Sequence, residues 1–197
     1  MSNIAVFGGT FNPIHNEHIK LIRHLSTLRF IDKVLVIPTH IPPHKTVGYL
    51  AGDEDRLTMC RLAVKELKRV EVSDFEIKRQ GKSYTFYTIE ALKESYPHDN
   101  FFVVCGGDMA ITLDSWHRFD ELKKICTFLF VDRPGTDKLK LREYISSLIK
   151  EGAKIEYTLC DTEDVSSTAI RKNISGSKDI PPKVAEYIKE KGLYGTK

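Results

Sequence analysis

The chain of 197 residues is 41% hydrophobic and 29% charged, with a formal net charge of +3 and four cysteines. That length suits one domain around one core, and the composition excludes a disordered, fibrous or disulfide-stapled chain. Basic and acidic residues alternate along most of the sequence, so no basic arm calls for nucleic acid, and the mild positive balance suits small anionic substrates.

The first β-rich run is "NIAVFG" (3–8), which ends in Gly8-Gly9 and leads to a helical pattern over 16–29 carrying Ile19, Leu21, Ile22, Leu25 and Leu28. "KVLVIP" (33–38) is the second strand. After it comes a segment rich in Pro and Gly, 38–52, too long for a simple turn and of the kind that carries function. A helix is expected over 53–68, a strand at "VEVSDFEI" (70–77), a helix over 84–95, and strands at "NFFVVCG" (100–106) and "TFLFVD" (127–132). A helix over 138–151, the strand "KIEYTL" (154–159) and a last helix over 182–191 complete the series. Pro181-Pro182 suits the start of that last helix and Gly192 its stop.

Strands alternating with helices imply an α/β fold of Rossmann-like, doubly wound form, with a mostly parallel sheet covered by helices on both faces. The near-continuous apolar strands agree with burial on both sides. Cys60, Cys105, Cys126 and Cys160 are widely spaced without a CxxC pair, which points to reduced, buried thiols and a cytoplasmic location. No run approaches membrane-spanning length, so no membrane partner is expected.

In open parallel sheets ligands sit beyond the carboxyl ends of the strands. The stretches 8–18, 38–45, 106–117 and 161–171 each follow a strand and are therefore expected to converge. In the first, Gly8-Gly9 either makes a tight turn or lets a phosphate approach the backbone, and the helix that follows offers N–H groups to an anion. The phosphate-loop pattern GxxxxGK[ST] is absent, and no GxGxxG follows the strand. His15 and His18 share a face if 15–18 is helical, and each imidazole could donate to a phosphate oxygen. A zinc site ranks below this, because no third ligand has suitable spacing. A plain surface pair is the bland alternative. In "DVSSTAIRK" (164–172), Ser166, Ser167, Thr168 and Arg171 make either a helix cap with a solvated Arg or a cradle for a polyphosphate.

"GGTFNPIHNEH" resembles the GGTFDPxHxGH turn of the HxGH-motif nucleotidyltransferases, and "VSSTAIR" resembles their ISSTxIR signature. "IPPHK" (41–45), "GKSYTFYTI" (81–89), "GGDMAITLDSWHRFDEL" (106–122), "DRPG" (132–135) and "IPPKVAEYIKEKGLY" (180–194) narrow the resemblance to the bacterial nicotinate-nucleotide adenylyltransferases, over nearly the whole chain. The resemblance implies a single nucleotidyltransferase domain over 1–197, with a C-terminal helical part from about 165 carrying the second motif. It also implies that ATP and nicotinate mononucleotide give nicotinate adenine dinucleotide and pyrophosphate, with Mg2+ accompanying ATP and no protein metal ligand assigned. His18, His15, Lys45 and Arg171 take the catalytic positions. Gly8, Gly9, Thr10, Phe11, His15, His18, Gly106, Asp108, Ser166, Ser167, Thr168 and Arg171 fall to ATP. Gly9, His44, Lys45, Thr85, Asp108, Trp116, His117 and Arg133 fall to the acceptor. The sequence leaves the oligomeric state open, a homo-oligomer included.

Two positions depart from the signature: Asn12 replaces an Asp and Glu17 replaces the motif Gly. Asn12 keeps an acceptor and is expected to change little. At about 100° per residue, position 17 lies about 200° around the helix from His15, so Glu17 is expected to point away from the site. Alternatives remain on sequence alone: the same chemistry on nicotinamide mononucleotide or phosphopantetheine, and a nucleotide-binding paralogue without turnover.

Overall fold

The computed structural model describes residues 1–42, 49–106, 112–132, 138–163 and 165–196. Its strands are β1 (Asn3–Gly9), β2 (Lys33–Pro38), β3 (Val70–Val72), β4 (Asn100–Gly106), β5 (Thr127–Asp132) and β6 (Lys154–Leu159). They form one six-stranded sheet in the order β3-β2-β1-β4-β5-β6, and every pairing is parallel. The helices are α1 (Asn16–Thr27), α2 (Asp53–Val64), α3 (Phe75–Arg79), α4 (Thr85–Ser95), α5 (Phe119–Ile125), α6 (Lys138–Lys150), α7 (Ser167–Lys172) and α8 (Pro182–Lys191). This is the expected Rossmann-like, doubly wound α/β fold.

Successive strand side chains point to opposite faces, so each central strand feeds two cores. Ala5, Phe7, Val34, Val36, Phe102 and Val104 meet Leu21, Ile22 and Leu25 of α1, Met59 and Cys60 of α2, Ile170 of α7 and Val184 and Ile188 of α8. Ile4, Val6, Leu35, Ile37, Phe101 and Val103 face the other way, onto Phe86 and Ile89 of α4, Leu122 of α5 and Leu141 of α6. All four cysteines are buried thiols. Among the described residues no helix is long and apolar enough to cross a membrane.

The strand order reverses between β1 and β4, which puts the topological switch point, where such sheets bind ligands, at the ends marked by Gly8-Gly9 and Gly106. Three expectations need correction. The strand expected over 70–77 stops at Val72, because the Ser73 hydroxyl accepts the Phe75 N–H (3.2 Å) and turns the chain into α3. Helices expected to run to 29 and 68 end at Thr27 and Val64. Helix α5 was not expected; it starts after Arg118, whose φ of 56° is left-handed and interrupts any periodic pattern.

Candidate active site

The two glycines that end β1 do different work. Gly8 is exposed, and a Cβ there would meet nothing within 4 Å, so the backbone is open to a ligand. A Cβ on Gly9 would lie 2.8 Å from the ring of Phe11. Gly9 therefore makes room for a side chain of the protein, which the sequence reading did not foresee. Phe11 is buried at a φ of 46°, with its ring edge-on to Phe7 (5.5 Å) and to His18 (5.1 Å, 81°). It forms a wall behind the histidine.

His15 and His18 do not share a helical face. His15 is the N-cap of α1, with extended backbone, and His18 is the third residue of the helix. Capping nevertheless brings them together: the His15 N–H donates to His18 Nδ1 (3.3 Å), and the rings stack 3.6 Å apart. Because Nδ1 accepts, neutral His18 carries its proton on Nε2, the tautomer that can donate to a phosphate oxygen. The helix end is less open than expected. Its first N–H, from Asn16, already donates to the Asp179 carbonyl (2.7 Å).

The second motif docks on the first. Ser167 Oγ donates to the Pro13 carbonyl (3.0 Å), Arg171 Nη1 donates to the Asn12 carbonyl (2.8 Å) and Nη2 to Thr168 Oγ1 (3.1 Å). Ser166 caps α7 by accepting the Ala169 N–H (3.2 Å). Both readings of this motif hold in part, since it caps a helix and also lies against the β1 turn. Asn12 is buried and fully engaged. Its Nδ2 donates to the Tyr49 carbonyl (2.7 Å), while Oδ1 accepts from the Ala51 N–H (3.1 Å) and the Tyr194 hydroxyl (2.8 Å). A carboxylate could not make the first of these bonds. The Glu17 carboxylate accepts the Glu163 N–H (2.6 Å), within the stretch 161–171 that leads into the second motif.

The stretch after β2 joins the same place. The Thr39 N–H donates to the Gly9 carbonyl (2.9 Å), and the Ser83 hydroxyl accepts the His40 N–H (3.0 Å) while the Ser83 N–H donates to the Ile41 carbonyl (3.0 Å). Thr85 is the first residue of α4 and is partly exposed. Beside it the ring of Tyr84 stacks on exposed His117 (4.3 Å, 29°), which also hydrogen-bonds the Tyr87 hydroxyl (3.2 Å). Trp116 is half-buried against the core under α4 and α5. His44, Lys45, Asp108 and Arg133 lie outside the described residues.

Among the buried charged residues that the sequence reading missed are Arg56 and Glu76. Arg56 is completely buried at the site's base; it sits on the apolar stripe of α2 with Met59, Cys60 and Ala63, a misplaced charge that could have flagged it. Glu76 of α3 accepts the Thr88 hydroxyl (2.6 Å); burial pushes its carboxyl up from the usual range, against hydrogen bonds from Thr88 and Ser83. Nothing in local sequence marks Glu76, because its partners come from another element.

The sequence profile of the cytidylyltransferase-like family matches residues 6–173. A probable nicotinate-nucleotide adenylyltransferase from Shouchella clausii is 35% identical over 199 residues, covering 99% of this chain and 98% of that protein. One of the same name from Clostridium botulinum is 35% identical over 200 residues, covering 98% and 100%. Among solved structures, a Plasmodium falciparum nicotinic acid mononucleotide adenylyltransferase complexed with NaAD has a TM-score of 0.80 at 20% identity, covering 100% of this chain and 99% of that one. This last likeness concerns the fold.

Proposed function

The chain belongs to the cytidylyltransferase-like family and, within it, to the nicotinate-nucleotide adenylyltransferases, and we propose that its reaction runs at the switch point described above. A phosphate oxygen of nicotinate mononucleotide attacks the α-phosphorus of ATP. The bond from that phosphorus to the bridging oxygen breaks, and pyrophosphate leaves with the electron pair. Such a displacement needs in-line placement and charge neutralisation more than a protein nucleophile.

The observation that carries this reading is the docking of Ser167 and Arg171 on the carbonyls of Pro13 and Asn12, which unites the two phosphate motifs in one turn. His18 Nε2–H donates to the α-phosphate as its charge grows. His15 and Phe11 hold the ring in place, and Gly8 leaves the backbone open to the triphosphate. Ser166, Thr168 and the remaining donors of Arg171 take the β- and γ-phosphates. Lys45 neutralises charge where the substrates meet, with His44 beside it. Gly106, Asp108 and Arg133 attend the nucleosides, while Thr85, Trp116 and His117 receive the nicotinate ring. The donors on the turn are imidazole, guanidinium and hydroxyl groups, which suit phosphate oxygens rather than a hard cation. Mg2+ would come with ATP, held by phosphate oxygens and water, and would screen the charge of the triphosphate.

The engagement of the Glu17 carboxylate by the Glu163 N–H supports the reading with turnover over a paralogue without it. We assign it to the cytoplasm, with small-molecule substrates and no nucleic acid. The test is pyrophosphate release from Mg-ATP with nicotinate mononucleotide, nicotinamide mononucleotide or phosphopantetheine. Turnover highest on the first is expected; preference for another acceptor, or release with none, would overturn the assignment.

A further inference from the structure

Arg56 is the largest fully buried side chain among the described residues, and a guanidinium cannot shed its charge. Its bonds explain how that charge is tolerated. Nε donates to the Ala51 carbonyl (3.0 Å), Nη1 to the Thr10 carbonyl (2.9 Å), and Nη2 to the His40 carbonyl (3.4 Å) and the Asp53 carboxylate. Asp53 in turn meets the His40 ring at Nδ1 (2.5 Å).

These partners share one property: all border the proposed site. Thr10 lies in the turn after β1 that leads to His15 and His18. His40 and Ala51 are the two stems of the loop that leaves β2 and returns to α2. The His40 N–H is taken up by Ser83, next to Thr85. One rigid planar fork therefore ties the ATP-side turn to both stems of the acceptor-side loop. An apolar side chain of similar volume would leave three backbone carbonyls and the Asp53 carboxylate without their donor, at a cost in stability. Nor could it set the distance and angle between three backbone carbonyls.

We propose that Arg56 is a positioning residue of the adenylyl transfer: it sets the β1 turn against the loop after β2 so that the two substrates meet in line. This rests on the proposed function. A Lys at position 56 would keep the charge but present its donors from one point, so it could not span three carbonyls. Asp53→Asn keeps the shape while weakening the grip of Asp53 on both Arg56 and His40.

The experiment compares wild type, Arg56→Lys and Asp53→Asn as full-length chains. It measures kcat, the KM of each substrate, binding of ATP alone by calorimetry, and thermal midpoint. For Arg56→Lys the expected result is a fall in kcat of about a hundredfold, as misplacement by about 1 Å produces. ATP binding should stay within about threefold of wild type, and the KM of the acceptor should rise. Asp53→Asn should lower kcat by about tenfold in the same pattern, and the double variant should be no worse than Arg56→Lys, because the two residues act as one unit. A kcat in Arg56→Lys within about threefold of wild type overturns the proposal. So does a parallel loss of ATP binding and thermal midpoint, which marks a purely structural residue. If Arg56→Lys does not fold, Asp53→Asn decides alone: the kcat-selective loss supports the proposal and unchanged kcat overturns it. A wild-type chain without turnover on nicotinate mononucleotide would instead strike down the proposed function, a failure visible before any variant is made.

Discussion

The turn after β1 and the face around His117 are built on opposite plans. In the turn, the carbonyls of Gly9, Thr10, Asn12 and Pro13 accept from Thr39, Arg56, Arg171 and Ser167, and the side chain of Asn12 is held at both ends. Around His117 the contacts are rings against rings: Tyr84 stacks on His117, Tyr87 touches both, and the His117 side chain is exposed. Fixed dipoles suit a site where charge develops, because they need no reorganisation as it grows. Exposed aromatic faces suit a site that must recognise a flat ring.

Substitutions in the turn should therefore affect stability and turnover together, whereas substitutions on the aromatic face should affect acceptor binding alone. The largest effect on stability is expected for Asn12→Ala, which leaves the Tyr49 carbonyl and the Tyr194 hydroxyl without their partner. It should cost about 1–3 kcal/mol in a denaturant titration, and turnover should fall with it; unchanged stability would break the contrast. His117→Ala should raise the KM for nicotinate mononucleotide about tenfold, with the thermal midpoint and the KM for ATP unchanged. An equal rise for ATP would mean that the face is not an acceptor site.

Glu76 sharpens the contrast through pH. Because burial raises its carboxyl, the folded state binds that proton more tightly than the unfolded chain does. The resulting stability is present below the ordinary carboxylate pKa and is lost as pH rises through the raised one. Glu76→Gln should remove this dependence, so melting curves of variant and wild type should diverge in favour of the variant from acid to neutral pH. Parallel curves would contradict it. The smallest effect is expected for Glu17→Gly, which should change kcat by less than about threefold, because the carboxylate is engaged with the Glu163 N–H. A large gain would show that Glu17 does reach the triphosphate.

Legibility in the sequence followed the same division. Runs such as "KVLVIP" and "NFFVVCG" declare buried parallel strands, and that alternation is enough to bring the stretches after β1, β2 and β6 together. Helix α3 was misread as strand because "VEVSDFEI" alternates well; a single serine hydroxyl overrides the pattern. The sequence placed His15 and His18 on one face only if 15–18 were helical; a cap brings them together instead, and the ring stacking was not foreseen. Arg56, His40 and Ser83 were not legible as partners because they grip backbone carbonyls and N–H groups, which every residue has and no sequence pattern marks. Gly9 was legible as necessary but not as making room for Phe11.

The most direct test of the account is the rate of pyrophosphate release with nicotinate mononucleotide for wild type, His18→Gln and His18→Asn. The Gln amide nitrogen can stand where Nε2 stands, whereas that of Asn stands at Nδ1. The account predicts losses of about 10²–10³ for His18→Asn and at least about tenfold less for His18→Gln, both at unchanged thermal midpoint. Equal losses in the two variants, or a rate that neither change lowers, would contradict a His18 that donates through Nε2 to the transferring phosphate.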